Sequence, residues 1–277
     1  MVDNFVLMVG AMKCGTTSLF RYLAEHPQVC PCEFKKEPNF FEHDKNYAKG
    51  FEWYQSLWNY DPAIHKVALE GTTNYTKFRT SKVVDRIAEV QQNFNCGFRF
   101  IYIMRNPIER IESHYTHGLS TKWGQKLMKL DRGVDPKLIE ISSYAKQITE
   151  YQKRFSASDI LLLNFDDLKR DTPNTLKQIC QFLEIDTAFD FQNTSKNYHP
   201  TQGKLIDGPL WPFVEPGTRF IPKRYRQAIR QRLGQTIKGN LKLSLEQRDF
   251  VLDELKDDLR KLKVEYDVDI SSWGIEI

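Results

Sequence analysis

Residues 5–23 read FVLMVGAMKCGTTSLFRYL, and this stretch decides the fold. Phe5–Val9 is a short apolar run with β-forming side chains. Gly10 and Gly15 bracket a tight loop, and from Thr16 the pattern turns helical, with Leu19, Tyr22 and Leu23 on one face. A strand, a glycine loop and a helix start together turn backbone N–H groups and a positive helix end towards an anion. The spacing Gly10-x-x-x-x-Gly15 followed by Thr16-Thr17 differs from the nucleoside-triphosphate loop GxxxxGK(S/T) at one place: Thr16 stands at the lysine position, and a lysine occurs three residues earlier, at Lys13. In the triphosphate loop that lysine reaches the β- and γ-phosphates. Lys13, inside the loop, is placed instead for a bridging oxygen at the end of a shorter 5′ group.

Outward from this unit, apolar runs and helical segments alternate. Lys66–Glu70 (KVALE), Arg99–Met104 (RFIYIM) and Asp159–Phe165 (DILLLNF) read as buried strands. Helical spacing covers Ser81–Gln92, Ile108–His117 behind Pro107 at a first-turn position, Leu138–Phe155, Thr175–Leu183, Tyr225–Leu233 and Leu245–Leu262. His26–Glu37, 119–136 and Asn193–Pro222 read as loops, the second as a mobile excursion. The expected fold class is α/β: a P-loop-type parallel β-sheet of about four to five strands with helices on both faces, in a single domain over 1–277.

Composition narrows the partners. The chain has 277 residues, and its net charge of +4 suits an anionic small ligand and gives no argument for nucleic acid. No apolar run reaches the roughly 20 residues needed to span a bilayer, and Asp3 stands where a signal peptide carries basic residues. Five cysteines (Cys14, Cys30, Cys32, Cys96, Cys180) form neither a disulfide framework nor a zinc spacing. The expectation is a cytoplasmic protein with reduced thiols, no membrane partner and no metal.

GAMKCGTTSLFRYLAEHP resembles the 5′-phosphosulfate loop of sulfotransferases that use 3′-phosphoadenosine 5′-phosphosulfate (PAPS), and is nearest to the branch holding the heparan-sulfate enzymes and their bacterial relatives. The resemblance covers most of the chain, weakening between about Gly118 and Leu138 and again after Phe191. It implies that Lys13, Cys14, Gly15, Thr16, Thr17 and Ser18 cradle the 5′ end of PAPS, with Lys13 neutralising the oxygen that becomes the leaving group. Ile103–Tyr115 (IMRNPIERIESHY) resembles the family's 3′-phosphate signature, a strand-end Arg-Asn-Pro with a serine eight residues after the arginine. Arg105 and Ser113 fill those positions, and a guanidinium at a strand end can fork onto a phosphate. Arg110 reads as a helix-surface or ion-pair residue.

Lys36-Glu37-Pro38-Asn39-Phe40-Phe41 is similar to the Lys-Glu-x-x-Phe-Phe segment of that branch, which makes Glu37 the general base and Lys36 an aid to the sulfate or the glutamate. Other branches use histidine, so His114 and His199 stand as alternative bases. Glu70-Gly71-Thr72-Thr73-Asn74-Tyr75 departs from the relatives' Glu-Lys-Ser/Thr-x-x-Tyr: a sugar-facing lysine is Gly71 here, which argues against a heparan-like acceptor. Asn193–Lys204 stands where the family closes a loop over the 3′-phosphate, with Lys196 and Lys204 as its cations.

The expected activity is transfer of a sulfuryl group from PAPS to a hydroxyl or an amino/carbamoyl nitrogen of a small-molecule or saccharide acceptor, leaving adenosine 3′,5′-diphosphate. Neither the acceptor nor the oligomeric state is fixed. Two rivals fit the loop: an ATP-dependent kinase with a degenerate triphosphate loop, and a non-catalytic nucleotide-binding module.

Overall fold

The computed structural model describes residues 2–33, 35–119, 133–194, 205–206, 214–218, 221–233, 235–236 and 241–276. Its centre is a parallel sheet of five strands: β1 (Asn4–Gly10), β2 (Val29–Pro31), β3 (Val67–Glu70), β4 (Gly97–Met104) and β5 (Ile160–Asn164), in the order β2-β3-β1-β4-β5. Val6, Leu7 and Met8 of β1 and Phe100, Ile101 and Ile103 of β4 are completely buried. Unbroken apolar runs of this kind mark strands covered on both faces. The α/β expectation and its parallel sheet hold.

The longer helices come from the predicted segments, with three local differences. Thr16–Leu23 forms α1, and two short turns, α2 (Asp44–Tyr47) and α3 (Phe51–Gln55), lie in the aromatic-rich stretch. Thr80–Phe94 is α4 and Pro107–Leu119 is α5. Leu138–Phe155, expected as one helix, is two: α6 (Pro136–Ile141) and α7 (Tyr144–Gln152). Ser142 turns its hydroxyl back onto Leu138 O at 2.9 Å, and this side-chain bond competes with the helix ladder at the break. Phe165–Arg170 is a short α8 that the strand reading hid, followed by α9 (Thr172–Leu183), α10 (Lys223–Leu233) and α11 (Leu245–Val264). Third, β2 lies in the segment expected as loop; its three residues pair in register with Val67–Leu69. Most of the expected 119–136 excursion and of the Asn193–Pro222 loop lies outside the described residues.

Two clusters fix the site segments to this frame. Phe40 and Phe41 are buried against Tyr54, with ring centroids 4.5 and 5.2 Å apart, and Phe41 N donates to Tyr75 Oη at 3.2 Å. The chain just before them, Lys36–Glu37, is thereby held at the C-terminal edge of the sheet. On the other side, Asn106 Nδ2 donates to Trp273 O at 2.8 Å and Trp273 Nε1 donates to Asn164 Oδ1 at 3.2 Å, so the C-terminal tail clasps the ends of β4 and β5. Glu112 of α5, buried, accepts from Lys242 Nζ at 2.7 Å and Arg248 Nη2 at 3.0 Å.

Gly10 ends β1 under tight packing. A Cβ there would lie 2.3 Å from Thr76 Oγ1 and 2.4 Å from Tyr102 Cε2. Gly10→Ala is expected to destabilise the fold by about 2 kcal/mol or more through overpacking. Chemical denaturation measures this, and an unchanged midpoint would show that the neighbours yield freely.

Candidate active site

In a parallel sheet, ligands gather beyond the carboxyl ends of the strands, where neighbouring connections leave on opposite sides. Here that point is β1, flanked by β3 and β4. Every described residue that the sequence singled out follows the end of a strand or lies on the helix behind it.

After β1, Lys13 (φ 75°) and Gly15 (φ 84°) are both left-handed, a backbone that turns successive N–H groups into an anion-binding hollow. Ser18 N and Leu19 N donate to Gly15 O at 3.0 and 3.1 Å and begin α1, which leaves Thr16 and Thr17 as amides at the helix mouth. Cys14 contributes differently from its neighbours. Its amide donates inside the loop to Ala11 O at 3.2 Å, and its side chain is fully buried with Sγ 4.0 Å from Tyr144 Oη. Burial pushes that thiol up to about 11, so it stays protonated. Gly15 is essential by contact as well as by φ: a Cβ there would lie 2.4 Å from Phe165 Cε2.

After β4, Arg105 donates through Nε and Nη2 to Glu109 Oε2 at 3.0 and 2.6 Å, and its guanidinium carbon is 5.2 Å from the centroid of Phe165. Phe165 therefore stands between the glycine loop and Arg105, with Lys169 Nζ 5.1 Å from the same ring. Ser113 is buried on α5 two turns along. Arg110 departs from its expected surface position. It is wholly buried, donating to Ser142 Oγ and Leu138 O at 2.7 Å each and to His114 Nδ1 at 3.2 Å. Guanidinium nitrogens only donate, so Nδ1 of His114 accepts and its proton sits on Nε2. Burial, with the charges of Arg110, Lys77 and Lys13, pushes His114 down to about 2.

After β2 and β3 a third group of side chains is assembled. Lys36 Nζ lies 3.2 Å from Glu37 Oε1 and 3.3 Å from Thr16 Oγ1 of the loop. Burial lowers the pKa of Lys36 while Glu37 raises it. Thr73 Oγ1 donates to the same Glu37 oxygen at 3.4 Å. Asn39 Nδ2 donates to Glu37 O at 2.9 Å, Asn74 Nδ2 to Asn39 Oδ1 at 2.6 Å, and Lys77 Nζ to Asn74 Oδ1 at 2.5 Å. Lys77 and Thr73 were not singled out from the sequence. The available signal was position, since both follow directly from the C-terminal end of β3. Phe165, directly after β5, likewise owes its place to following a strand end.

The structure thus brings together Lys13, Thr16, Lys36 and Glu37 around the loop, with Arg105 across Phe165 and Ser113 buried on α5 behind it. Lys196, Lys204 and His199 lie outside the described residues. Among those described, no group of three His, Cys, Asp or Glu side chains forms a metal cluster, and no helix is long and apolar enough to cross a membrane.

The chain matches the sulfotransferase domain over residues 3–217. It belongs to that family, the PAPS-dependent sulfotransferases, and is an enzyme of that class. It is 28% identical over 255 residues to mouse heparan sulfate glucosamine 3-O-sulfotransferase 5, an alignment covering 83% of this chain and 70% of the relative. It is 27% identical over 236 residues to the bifunctional heparan sulfate N-deacetylase/N-sulfotransferase 1 of Caenorhabditis elegans, covering 79% of this chain but only 26% of that protein. Among solved structures, a sulfotransferase from Alicyclobacillus acidocaldarius superposes with a TM-score of 0.66 at 19% identity, over 99% of both chains, and shares the fold.

Glu70, completely buried at the end of β3, receives a hydrogen bond from Tyr54 Oη at 2.5 Å. Burial raises its pKa from the ordinary 4.5 to about 7. The folded state then holds a proton that the unfolded chain releases near pH 4.5, so stability falls as pH rises from about 4.5 to 7. At 1.36 kcal/mol per pH unit, this one group is expected to contribute a decline of about 3 kcal/mol. Glu70→Gln should remove that part of the slope in denaturant titrations across the range. A slope identical to that of the unaltered chain would show that Glu70 is not the titrating group.

Proposed function

We propose that this enzyme sulfates a small-molecule hydroxyl or amino/carbamoyl nitrogen, with Glu37 as the general base. The supporting observation is the continuous link from Thr16 Oγ1 through Lys36 Nζ to Glu37 Oε1, at 3.3 and 3.2 Å, which sets a carboxylate beside the mouth of the anion loop.

The residues present fit PAPS. Left-handed Lys13 and Gly15 form the hollow for a 5′ anion, and Arg105, across Phe165, offers a second cation for the 3′-phosphate that ATP lacks. PAPS supplies the activated sulfuryl group and leaves as adenosine 3′,5′-diphosphate. On this reading the amides and hydroxyls of Thr16 and Thr17, with the hydroxyl of Ser18, bind the 5′ end, and Lys13 neutralises charge on the leaving oxygen. Arg105 exchanges part of its bond with Glu109 for the 3′-phosphate and Ser113 supports it. A Glu37 oxygen takes the acceptor's proton, and Thr73 and Lys36 hold that carboxylate in place. Glu37 is preferred to His114, whose free nitrogen already carries its proton and whose surroundings are cationic.

A saccharide acceptor is the second reading, favoured by the names of the two relatives. Against a heparan-like polymer stands Gly71. We further propose that the chain acts as one domain in a reducing cytosol, a setting consistent with its five buried free thiols.

The decisive test is thermal shift with adenosine 3′,5′-diphosphate, ATP–Mg²⁺ and AMP, each with and without EDTA. The diphosphate at 100 times its Kd is expected to stabilise the fold by about 2.7 kcal/mol, untouched by EDTA. Stabilisation by ATP–Mg²⁺ alone, abolished by EDTA, would instead favour the kinase reading. Arg105→Ala should weaken the diphosphate about 10- to 100-fold and leave AMP unchanged, as expected for loss of a charge-assisted contact. Glu37→Gln should lower the rate of transfer from labelled PAPS by about 10²- to 10⁴-fold with diphosphate affinity preserved. Equal losses of rate and affinity would make Glu37 structural.

A further inference from the structure

Gly71 is buried in the wall between the anion loop and Glu37, and its backbone is not among the positive-φ glycines, so conformation does not demand glycine there. Space does. A Cβ at this position would lie 2.9 Å from Lys36 Cε, 3.3 Å from Lys36 Cγ and 3.2 Å from Phe20 Cδ2. Gly71 N also donates to Lys36 O at 2.9 Å, which ties the two backbones side by side. The stem of Lys36 therefore lies across the bare Cα of Gly71, in the volume that any side chain at 71 would occupy.

That path determines where the ammonium ends. Lys36 Nζ is 3.3 Å from Thr16 Oγ1, the first residue of α1, and 3.2 Å from Glu37 Oε1. Its ammonium thus touches both the loop read as binding the 5′ anion and the carboxylate read as the base. A group passing from the loop to an acceptor held by Glu37 must cross this gap. An ammonium carries three donors, so the two contacts leave one for a third oxygen.

We propose that Lys36 is the ammonium that contacts the sulfuryl group during transfer, and that Gly71 is the specificity-determining gap that lets it lie there. The inference rests on the PAPS reading of the site and adds to it a coupled pair. Any side chain at 71 would displace the stem of Lys36, so the bare Cα at 71 and the ammonium at 36 act together.

Titration calorimetry of the full chain with adenosine 3′,5′-diphosphate and with PAPS, without acceptor, tests this. The two ligands differ by the sulfuryl group, so the ratio of their affinities reports contacts to it. Lys36→Met is expected to weaken PAPS about tenfold while the diphosphate stays within about threefold, as for the loss of one charge-assisted contact. Gly71→Ala should act in the same direction by displacing the stem. In the double variant Lys36→Met/Gly71→Ala, the second change should add nothing, because there is no ammonium left to displace. Equal weakening of both ligands in Lys36→Met, or additive losses in the double variant, would each overturn the proposal. Diphosphate binding in each variant certifies that it has folded. Absence of diphosphate binding by the unaltered chain would instead overturn the PAPS reading, and this proposal with it.

Discussion

The rest of the site depends on how closely the first loop can approach the sheet and its neighbours. Gly10 lies against Thr76 and Tyr102, and Gly15 lies against Phe165; at both positions a single added carbon would overlap a buried or half-buried group. These two approaches, at the ends of one five-residue step, fix the loop in place before any ligand arrives. Thr76 Oγ1 reinforces the first by donating to Val9 O at 2.7 Å. Preorganisation of this kind matters because an anion site works through fixed dipoles, and a loop free to relax would surrender much of its field.

From that fixed loop the charges can be arranged by short links. Lys36 connects the loop to Glu37, and Phe165 separates the loop from Arg105. Behind them Arg110 is fully buried on neutral acceptors: a serine hydroxyl, a carbonyl and a histidine nitrogen. A buried guanidinium held this way keeps its charge unneutralised by its hydrogen-bond partners, and its field lowers the pKa of His114 and reaches Cys14. The interior beneath the loop is therefore biased towards anions before any surface lysine is counted.

How much of this was legible follows from which signals are local. The strand–glycine loop–helix unit and the Arg-Asn-Pro start of α5 are written in consecutive residues, and both occur where the spacing set them. The split at Ser142–Ser143 was not legible, because it depends on a hydroxyl choosing the backbone over the helix ladder. β2 was missed because a three-residue strand is too short to show a period and is defined by its partner, β3. Arg110 was misplaced for a related reason. Its i+3 and i+5 neighbours, Ser113 and Tyr115, suggest an ordinary helix, while the groups that satisfy it come from Leu138 and Ser142, about thirty residues away. Lys77 and Phe165 show the general case: their importance lies in following strand ends that meet only in the folded sheet.

The acceptor side also shows how two carboxyl groups a few residues from the same edge are given different environments. Glu70 is wholly enclosed, bonded by Tyr54 Oη, and burial drives its pKa up to about 7, with Glu37 adding to the rise. Glu37 is 37% exposed and paired with Lys36. Separating paired acids by environment is a common way for a site to assign one a structural part and leave the other for proton transfer. Here the division follows from the chain itself. Glu70 ends a buried parallel strand and must face the tyrosine layer. Glu37 sits on a loop segment held by Phe40 and Phe41 and by hydrogen bonds to its backbone from Asn39 and Gly71, so its carboxylate stays at the rim beside Lys36 and Thr73. The glycine loop supplies the half of the site fixed by close backbone approach, and this aromatic anchor positions the half that carries Glu37.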